Sequence, residues 1–353
     1  VDTGCFRTIE LPDDIMAVQK RQHTLAFATS IALIIVVAST FGQLPEDSLL
    51  WRELQNTGHT PLFGALALAF LYILRERLPV TRTRPLAAYP LAAMASLATG
   101  IGVEFAQLLT YRDPSVTDVV RDLAGILAAL GIHASMDPKL APFWRRQRTG
   151  LRIGTAVVAG CLLLAGLAPL GRLGIACLQR DAAFPVIFDF GAAWSGPFLQ
   201  LKHASLAPVP APQRWTSAAG RHVARLVLQP AQYPGISVIE PSPDWSAFAY
   251  FVFTLYSDES RPFSLMLRIH DRLHNQEYSD RFNRALRVRP GENVFRIPLA
   301  AIRGAPADRA LDLHRIAGVM LFAVGIHTPI AFYLDTMQLD NLPAAAAAAA
   351  RAQ

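Results

Sequence analysis

Five long apolar runs, separated by short polar stretches, occupy the first half of the chain. After residue 178 they give way to short segments in which apolar and polar positions alternate. The runs at 25–42, 60–74, 86–110, 119–136 and 153–170 approach or exceed the roughly 20 apolar residues a membrane helix needs. No small-x-small cleavage site follows the first run and further apolar runs do, so it predicts a retained helix and not a signal peptide. Downstream, residues 184–190, 223–228, 247–256, 262–270, 293–298, 316–324 and 329–339 read as strands. Pro208, Pro210 and Pro212, and then residues 241–243, mark loops between them. Many short strands with turn signals between them predict an all-β jelly-roll sandwich. The expected fold is a membrane α-helical bundle of five transmembrane helices followed by that sandwich.

The alternation assigns faces. Ala249, Phe251, Phe253 and Leu255 form one apolar face, and Phe263, Leu265, Leu267 and Ile269 form another, so both point to the core. Opposite them stand Phe248, Tyr250, Thr254 and Tyr256, and then Ser264, Met266, Arg268 and His270. If these two strands pair, Tyr250, Tyr256, Arg268 and His270 share one sheet face. Aromatic bodies with polar tips beside a guanidinium suit a sugar, which offers apolar faces rimmed by hydroxyls.

Charge sets the expected orientation. The chain of 353 residues is 52% hydrophobic and 17% charged, against about 25% charged in ordinary soluble domains. Its net charge of +6 does not read as a nucleic-acid stripe, because most of the arginines of the apolar half fall in short loops between the runs. Lys20 and Arg21 precede the first run. Arg75, Arg77, Arg82 and Arg84 follow the second, and Lys139, Arg145, Arg146, Arg148 and Arg152 follow the fourth. Counting five spans, all three clusters lie on one side. The N-terminus is expected in the cytoplasm and the sandwich outside it, in a multi-pass cytoplasmic (inner) membrane protein. Three scattered cysteines make neither a disulfide framework nor a CxxC site.

With that topology a set of polar residues collects toward the outer leaflet. His59 heads the second helix, and Glu104 and Gln107 share a face near the end of the third. Arg112 lies in the turn that follows. Asp118 and Asp122 open the fourth at i, i+4, where a helix N-terminus favours negative charge. An ionisable side chain at bilayer centre costs roughly 3 kcal/mol or more, so each needs a partner or the interface. Three roles are open: interhelical hydrogen bonding, a lipid head-group site formed by all six residues, or a catalytic site. In the last, His59 or Glu104 is the acid or base and Asp118 the orienter.

This set resembles the VanZ-like family over about residues 24–136. It does so through His59-x-x-x-Phe63, Glu104-x-x-Gln107, and Arg112 followed by Asp118 and a small-residue helix with Gly125. The family usually shows Asn where this chain has Asp122. The resemblance implies a small multi-helix membrane protein and a link by name to glycopeptide resistance, without an established activity.

The second half resembles galactose-binding-like carbohydrate-binding modules. The carrying segments are FPVIFDFG, PDWSAFAYFVFTLYS, LMLRIHDRLHNQEYSDRF, GENVFRIPLAAI and FYLDTMQL, in that order. The resemblance implies a jelly roll with Trp245 entering a central strand. The expected glycan contacts are Trp245, Tyr250, Tyr256, Arg268, His270, Asp271 and Arg281. Asp271 with Arg281 also reads as a loop-closing ion pair. Asp335 reads as a strand-end pin or as one ligand of a structural calcium, weakly, since calcium takes 6–8 oxygens. No other cofactor is expected. No GxSxG, P-loop or GxGxxG is present.

The expected layout is a cytoplasmic segment (1–23), a VanZ-like four-helix domain (24–136), and a loop with a fifth helix (137–178). The extracytoplasmic sandwich (183–342) and an Ala-rich tail (343–353) follow. The partners expected are membrane lipid and an envelope glycan or lipid-linked glycan, and not nucleic acid. The alternatives are an enzyme acting on polyprenyl-phosphate-linked substrates, and an anchor presenting the sandwich to a protein.

Overall fold

The structure is a computed structural model that describes residues 13–42, 44–45, 48–108, 115–242 and 244–341. The chain divides into two compact units, Val1–Arg172 and Leu173–Gln353.

The first unit is helical: α1 (Asp13–Phe41), α2 (Leu49–Arg77), α3 (Pro79–Thr83), α4 (Ala88–Gln107), α5 (Val116–Met136), α6 (Ala141–Arg146) and most of α7 (Thr149–Ala183). Five stretches, Arg21–Phe41, Leu49–Arg77, Pro85–Gln107, Val116–Met136 and Thr149–Ala183, are long and apolar enough to cross a membrane. One helix, α2, outruns its apolar pattern at both ends. α2 starts ten residues before His59, because the Ser48 hydroxyl caps it by accepting the Trp51 N–H at 3.2 Å. The polar residues Arg52, Glu53, Gln55 and Asn56 are simply its first turns. His59 therefore sits well inside α2 and does not begin it. At the other end α2 continues to Arg77, so Arg75 and Arg77 are helical residues and not part of a loop.

Small residues let α2 and α5 touch backbone to backbone. A Cβ on Gly125 would lie 1.9 Å from the Thr60 carbonyl oxygen, and one on Gly64 would lie 3.1 Å from Ala129 Cβ. Close approach through small residues is how helices pack where burial of apolar surface supplies no drive.

The second unit is a sandwich of two antiparallel sheets. The six-stranded sheet contains β1 (Val186–Asp189), β3 (Ala204–Pro210), β4 (His222–Leu228), β6 (Tyr250–Ser257), β9 (Gly291–Pro298) and β11 (Ile330–Asp340). Its order is β3-β4-β11-β6-β9, with β1 also paired to β11. The five-stranded sheet is β2 (Leu199–Lys202), β5 (Gly235–Ile239), β10 (Ile316–Phe322), β7 (Phe263–Asp271) and β8 (Phe282–Val288), in that order. A short helix, α8 (Leu299–Arg303), follows β9. Phe251, Phe253, Leu255, Leu265, Leu267 and Ile269 are all at most 1% exposed, as the alternation predicts for residues pointing between two sheets. Ala249, assigned to the same face, lies outside β6 and is exposed.

The expected proline loop is instead strand β3. It lies at the sheet edge, and Pro208 and Pro210 pair with Ala224 and His222 of β4. An edge strand tolerates residues without an N–H, and spacing the two prolines by two keeps both off the hydrogen-bonded positions.

Candidate functional site

In the helical unit His59 and Asp122 meet directly, Nδ1 to Oδ1 at 2.9 Å, and both are buried. Gly100 of α4 makes the room: a Cβ there would lie 2.7 Å from Asp122 Oδ2 and 3.1 Å from the Phe63 ring. Phe63, one turn after His59, is parallel to the imidazole at 6.1 Å between ring centroids. Glu104 is buried and accepts the Ser115 N–H at 2.7 Å, which ties the end of α4 to the start of α5. Asp118 is held by Arg121 at 2.6 Å. Gln107 donates to the Ser39 carbonyl of α1 at 3.1 Å. Of the six expected residues, His59 and Asp122 bond each other, Glu104 and Asp118 are bonded to Ser115 and Arg121, and Gln107 is turned to α1. Arg112 lies outside the described residues.

A second polar network, unforeseen from the sequence, ties α2 to α4 and to the end of α5. Arg75 is buried and bonded to Asp137 at 2.5 Å. The Tyr89 hydroxyl donates to Asp137 at 2.9 Å and lies 2.9 Å from His133 Nδ1. The Arg75 guanidinium lies over the Tyr89 ring at 5.2 Å. Read along the chain, Arg75 is one of four basic residues in a row of orientation signals. Only the fold singles it out.

In the sandwich the expected sugar face does not form, because β6 and β7 belong to opposite sheets. β6 pairs with β9 and β11, and β7 with β8 and β10. Tyr256 is buried and stacked on Trp215 at 5.6 Å, so the segment before β4 covers that part of the six-stranded sheet. Tyr250 lies beneath the Arg296 guanidinium at 4.3 Å. Trp245 is fully buried, stacked on Phe251 at 5.3 Å, and donates Nε1–H to the Ser242 carbonyl at 2.7 Å. It is a core residue and no ligand contact. Asp335 sits at the irregularity in the β11–β6 register and is bonded to Arg221 at 2.7 Å. Among the described residues no group of three or more His, Cys, Asp or Glu could hold a metal ion.

The outer face of the five-stranded sheet is open. Register aligns Gln200, Ser237, Met320, Arg268 and Asn283 across its five strands, with Lys202, Gly235, Phe322, Met266 and Ala285 in the next row. All of these but Gln200 and Ala285 line a groove of about 510 Å³, to which Tyr233, Tyr278, Arg281 and Val324 also contribute. Tyr233 is 49% exposed and Tyr278 66%. Arg281 lies over the Tyr278 ring at 5.3 Å.

The segment carrying Tyr278 and Arg281 is braced from behind. Arg309 grips Asp271 through two N–H groups at 2.5 and 2.8 Å and bonds Asp280 at 2.5 Å. Asp271, expected to pair with Arg281, is therefore the buried partner of Arg309. Arg268 can only donate, so His274 Nε2 accepts from it at 3.0 Å and Nδ1–H donates to the Asp280 carbonyl at 3.0 Å. Burial raises the Asp271 carboxyl, but Arg309 and the Asp312 N–H outweigh it and hold the group below its usual range. The Arg309 bond takes Asp280 down to about 2. Burial, then the charge on Arg268, push the His270 imidazole down to about 4. His270 packs against Gly318, where a Cβ would meet its ring at 2.5 Å.

No family model matches the chain, and no curated protein matches it. Among solved structures, an exo-beta-agarase is 17% identical with a TM-score of 0.38, over 45% of this chain and 25% of the agarase. The chain thus spans a quarter of that enzyme. The family 11 carbohydrate-binding module from Clostridium thermocellum, in complex with a beta-1,3-1,4-mixed-linked tetrasaccharide, is 15% identical with a TM-score of 0.34. It is matched over 44% of this chain and 94% of the module. CBM28, a carbohydrate-binding module specific for non-crystalline cellulose, is 12% identical with a TM-score of 0.31, over 45% and 94%. The sandwich described above stands on its own strand pairing.

Of the expected contacts, Arg268 and Arg281 line the groove, and His270 lies on the same sheet face. Tyr233, Tyr278, Lys202 and Asn283 were not foreseen, since they come from loops or from strands β2 and β8 that the alternation did not mark. Exposed tyrosines in polar loops were the available signal.

Proposed function

We propose that the chain is a multi-pass membrane protein that carries a glycan-binding sandwich outside the cytoplasm. The groove on the five-stranded sheet carries the glycan part of the reading. Two tyrosine rings that a folded protein has no packing reason to expose flank guanidinium and amide donors, the combination a pyranose needs. The membrane part is supported by five helices of spanning length and by basic clusters that all fall on one side when five spans are counted. By that rule the N-terminus is cytoplasmic and the sandwich is not. The VanZ-like reading of the helical half rests on its sequence motifs, whose His59 is bonded to Asp122, with Glu104 and Asp118 at the facing ends of α4 and α5. In this reading that cluster holds the polar head of the glycan's lipid carrier.

The test is retention of the full chain, in detergent micelles, on a panel of immobilised polysaccharides. Tyr278→Ala and Tyr233→Ala should each weaken binding up to about ten-fold, the worth of a well-placed aromatic contact. A folded protein that no glycan retains refutes the reading. A second reading, a membrane enzyme acting on polyprenyl-phosphate-linked substrates, is favoured by the buried His59–Asp122 pair. A carboxylate that orients an imidazole is a general-base arrangement. Turnover of such a substrate lost in His59→Ala but kept in Tyr278→Ala would select it.

A further inference from the structure

The groove carries an excess of positive charge that the fold leaves unanswered. Lys202, Arg268 and Arg281 line it, and among the described residues lining it there is no carboxylate. Asp271 and Asp280, on the segment that forms its rim, are both held by Arg309. The Nε atoms of Arg268 and Arg281 are buried with no hydrogen-bond partner. A buried guanidinium donor without an acceptor costs free energy that a folded protein normally avoids. Among the described residues the bond Arg268 makes is to an imidazole nitrogen of His274 and not to a carboxylate. Burial, then the charge on Arg281, disfavour its cationic form. Two guanidiniums that line one groove and oppose each other, over a floor of Met266, Met320 and Phe322, favour negative charge between them.

We propose that the groove takes an acidic polysaccharide, with Arg268 and Arg281 bonding a carboxylate or sulfate on a sugar ring that stacks against Tyr278. This rests on the glycan reading and narrows it. Planar guanidinium forks suit both anions, because both offer paired oxygens. A neutral glycan would leave both half-buried guanidiniums without a counter-charge. A nucleic acid would need a longer cationic track than three residues on one groove.

The test uses the full chain in detergent micelles against polygalacturonate, its fully methyl-esterified form, a sulfated galactan, mixed-linkage β-glucan and poly(dT). The proposal expects binding to polygalacturonate or to the sulfated galactan, and the one that binds names the anion. Binding should fall roughly ten-fold when salt rises from about 50 to about 500 mM, because exposed charges are then screened. Methyl esterification should abolish binding to polygalacturonate. Arg281→Gln and, independently, the more exposed Lys202→Gln should each weaken binding several-fold, so the result does not depend on Arg268 variants folding. Equal affinity for β-glucan and the acidic polymers overturns the proposal while the glycan reading stands. Equal affinity for poly(dT) overturns it in favour of a generic polyanion site. Failure to bind any of the polysaccharides overturns the proposal and the glycan reading together.

Discussion

Arg309→Met isolates the brace behind the groove. Asp271 is 1% exposed, and its carboxylate receives two N–H groups from Arg309 and the Asp312 N–H at 2.7 Å. Methionine keeps most of the apolar stem but removes the charge, so Asp271 is left buried with one backbone donor. Removing one partner of a buried ion pair costs about 3–5 kcal/mol. The Arg309 side chain is itself 25% exposed, so water can reach part of the site and the low end, about 3 kcal/mol, is expected. That corresponds to roughly a 150-fold rise in the opening equilibrium. Hydrogen exchange on the full chain in detergent, followed by mass spectrometry over β7 and β10, reads this opening directly. The sign with pH is fixed as well. Both Asp271 and Asp280 titrate lower in the fold than in the unfolded chain. Their stabilisation is complete above about pH 4 and lost as pH falls through the folded values, about 2 for Asp280. Wild type should exchange progressively faster across that window, and Arg309→Met should not. Exchange in the variant within roughly three-fold of wild type at neutral pH would refute the assignment of Asp271 to Arg309.

His59→Ala leaves the Asp122 carboxylate buried without its partner and should cost about 3 kcal/mol, most of it recovered in His59→Ala/Asp122→Ala. Thermal unfolding in micelles measures the cycle, and additive losses would remove the pair from the account. Gly125→Ala drives a methyl into the Thr60 carbonyl. By overpacking it should cost at least about 3 kcal/mol, read as loss of monodisperse protein on gel filtration. Trp245→Ala empties a fully buried site and should cost about 3–5 kcal/mol in sandwich stability. Glycan affinity of the protein that remains folded should not change; lost affinity at unchanged stability would make Trp245 a ligand contact after all.

Hydropathy and alternation are local quantities, and what they determine is local. The five apolar runs, the change of pattern after residue 178 and the core faces of β6 and β7 are legible in the chain, because burial imposes periods of 3.6 and 2 on side chains. The alternation equally shows that Arg268 and His270 point away from the core. Partnership is decided by the fold. β6 and β7 are neighbours in sequence yet lie in different sheets, since in a sandwich a connection can cross between layers as readily as it turns within one. That crossing removes Tyr250 and Tyr256 from the face that carries Arg268. It brings Tyr233, Tyr278 and Lys202 from elements with no periodic signal. The same holds for charge. Arg75 and Arg309 are unremarkable basic residues in the chain, and they become the centres of buried ion pairs because elements 62 and 38 residues away deliver Asp137 and Asp271 to them. A pattern in sequence reports whether a side chain is buried. Only tertiary structure says what it is buried against, because the cost of an unpaired charge is met by whichever partner the fold brings within reach.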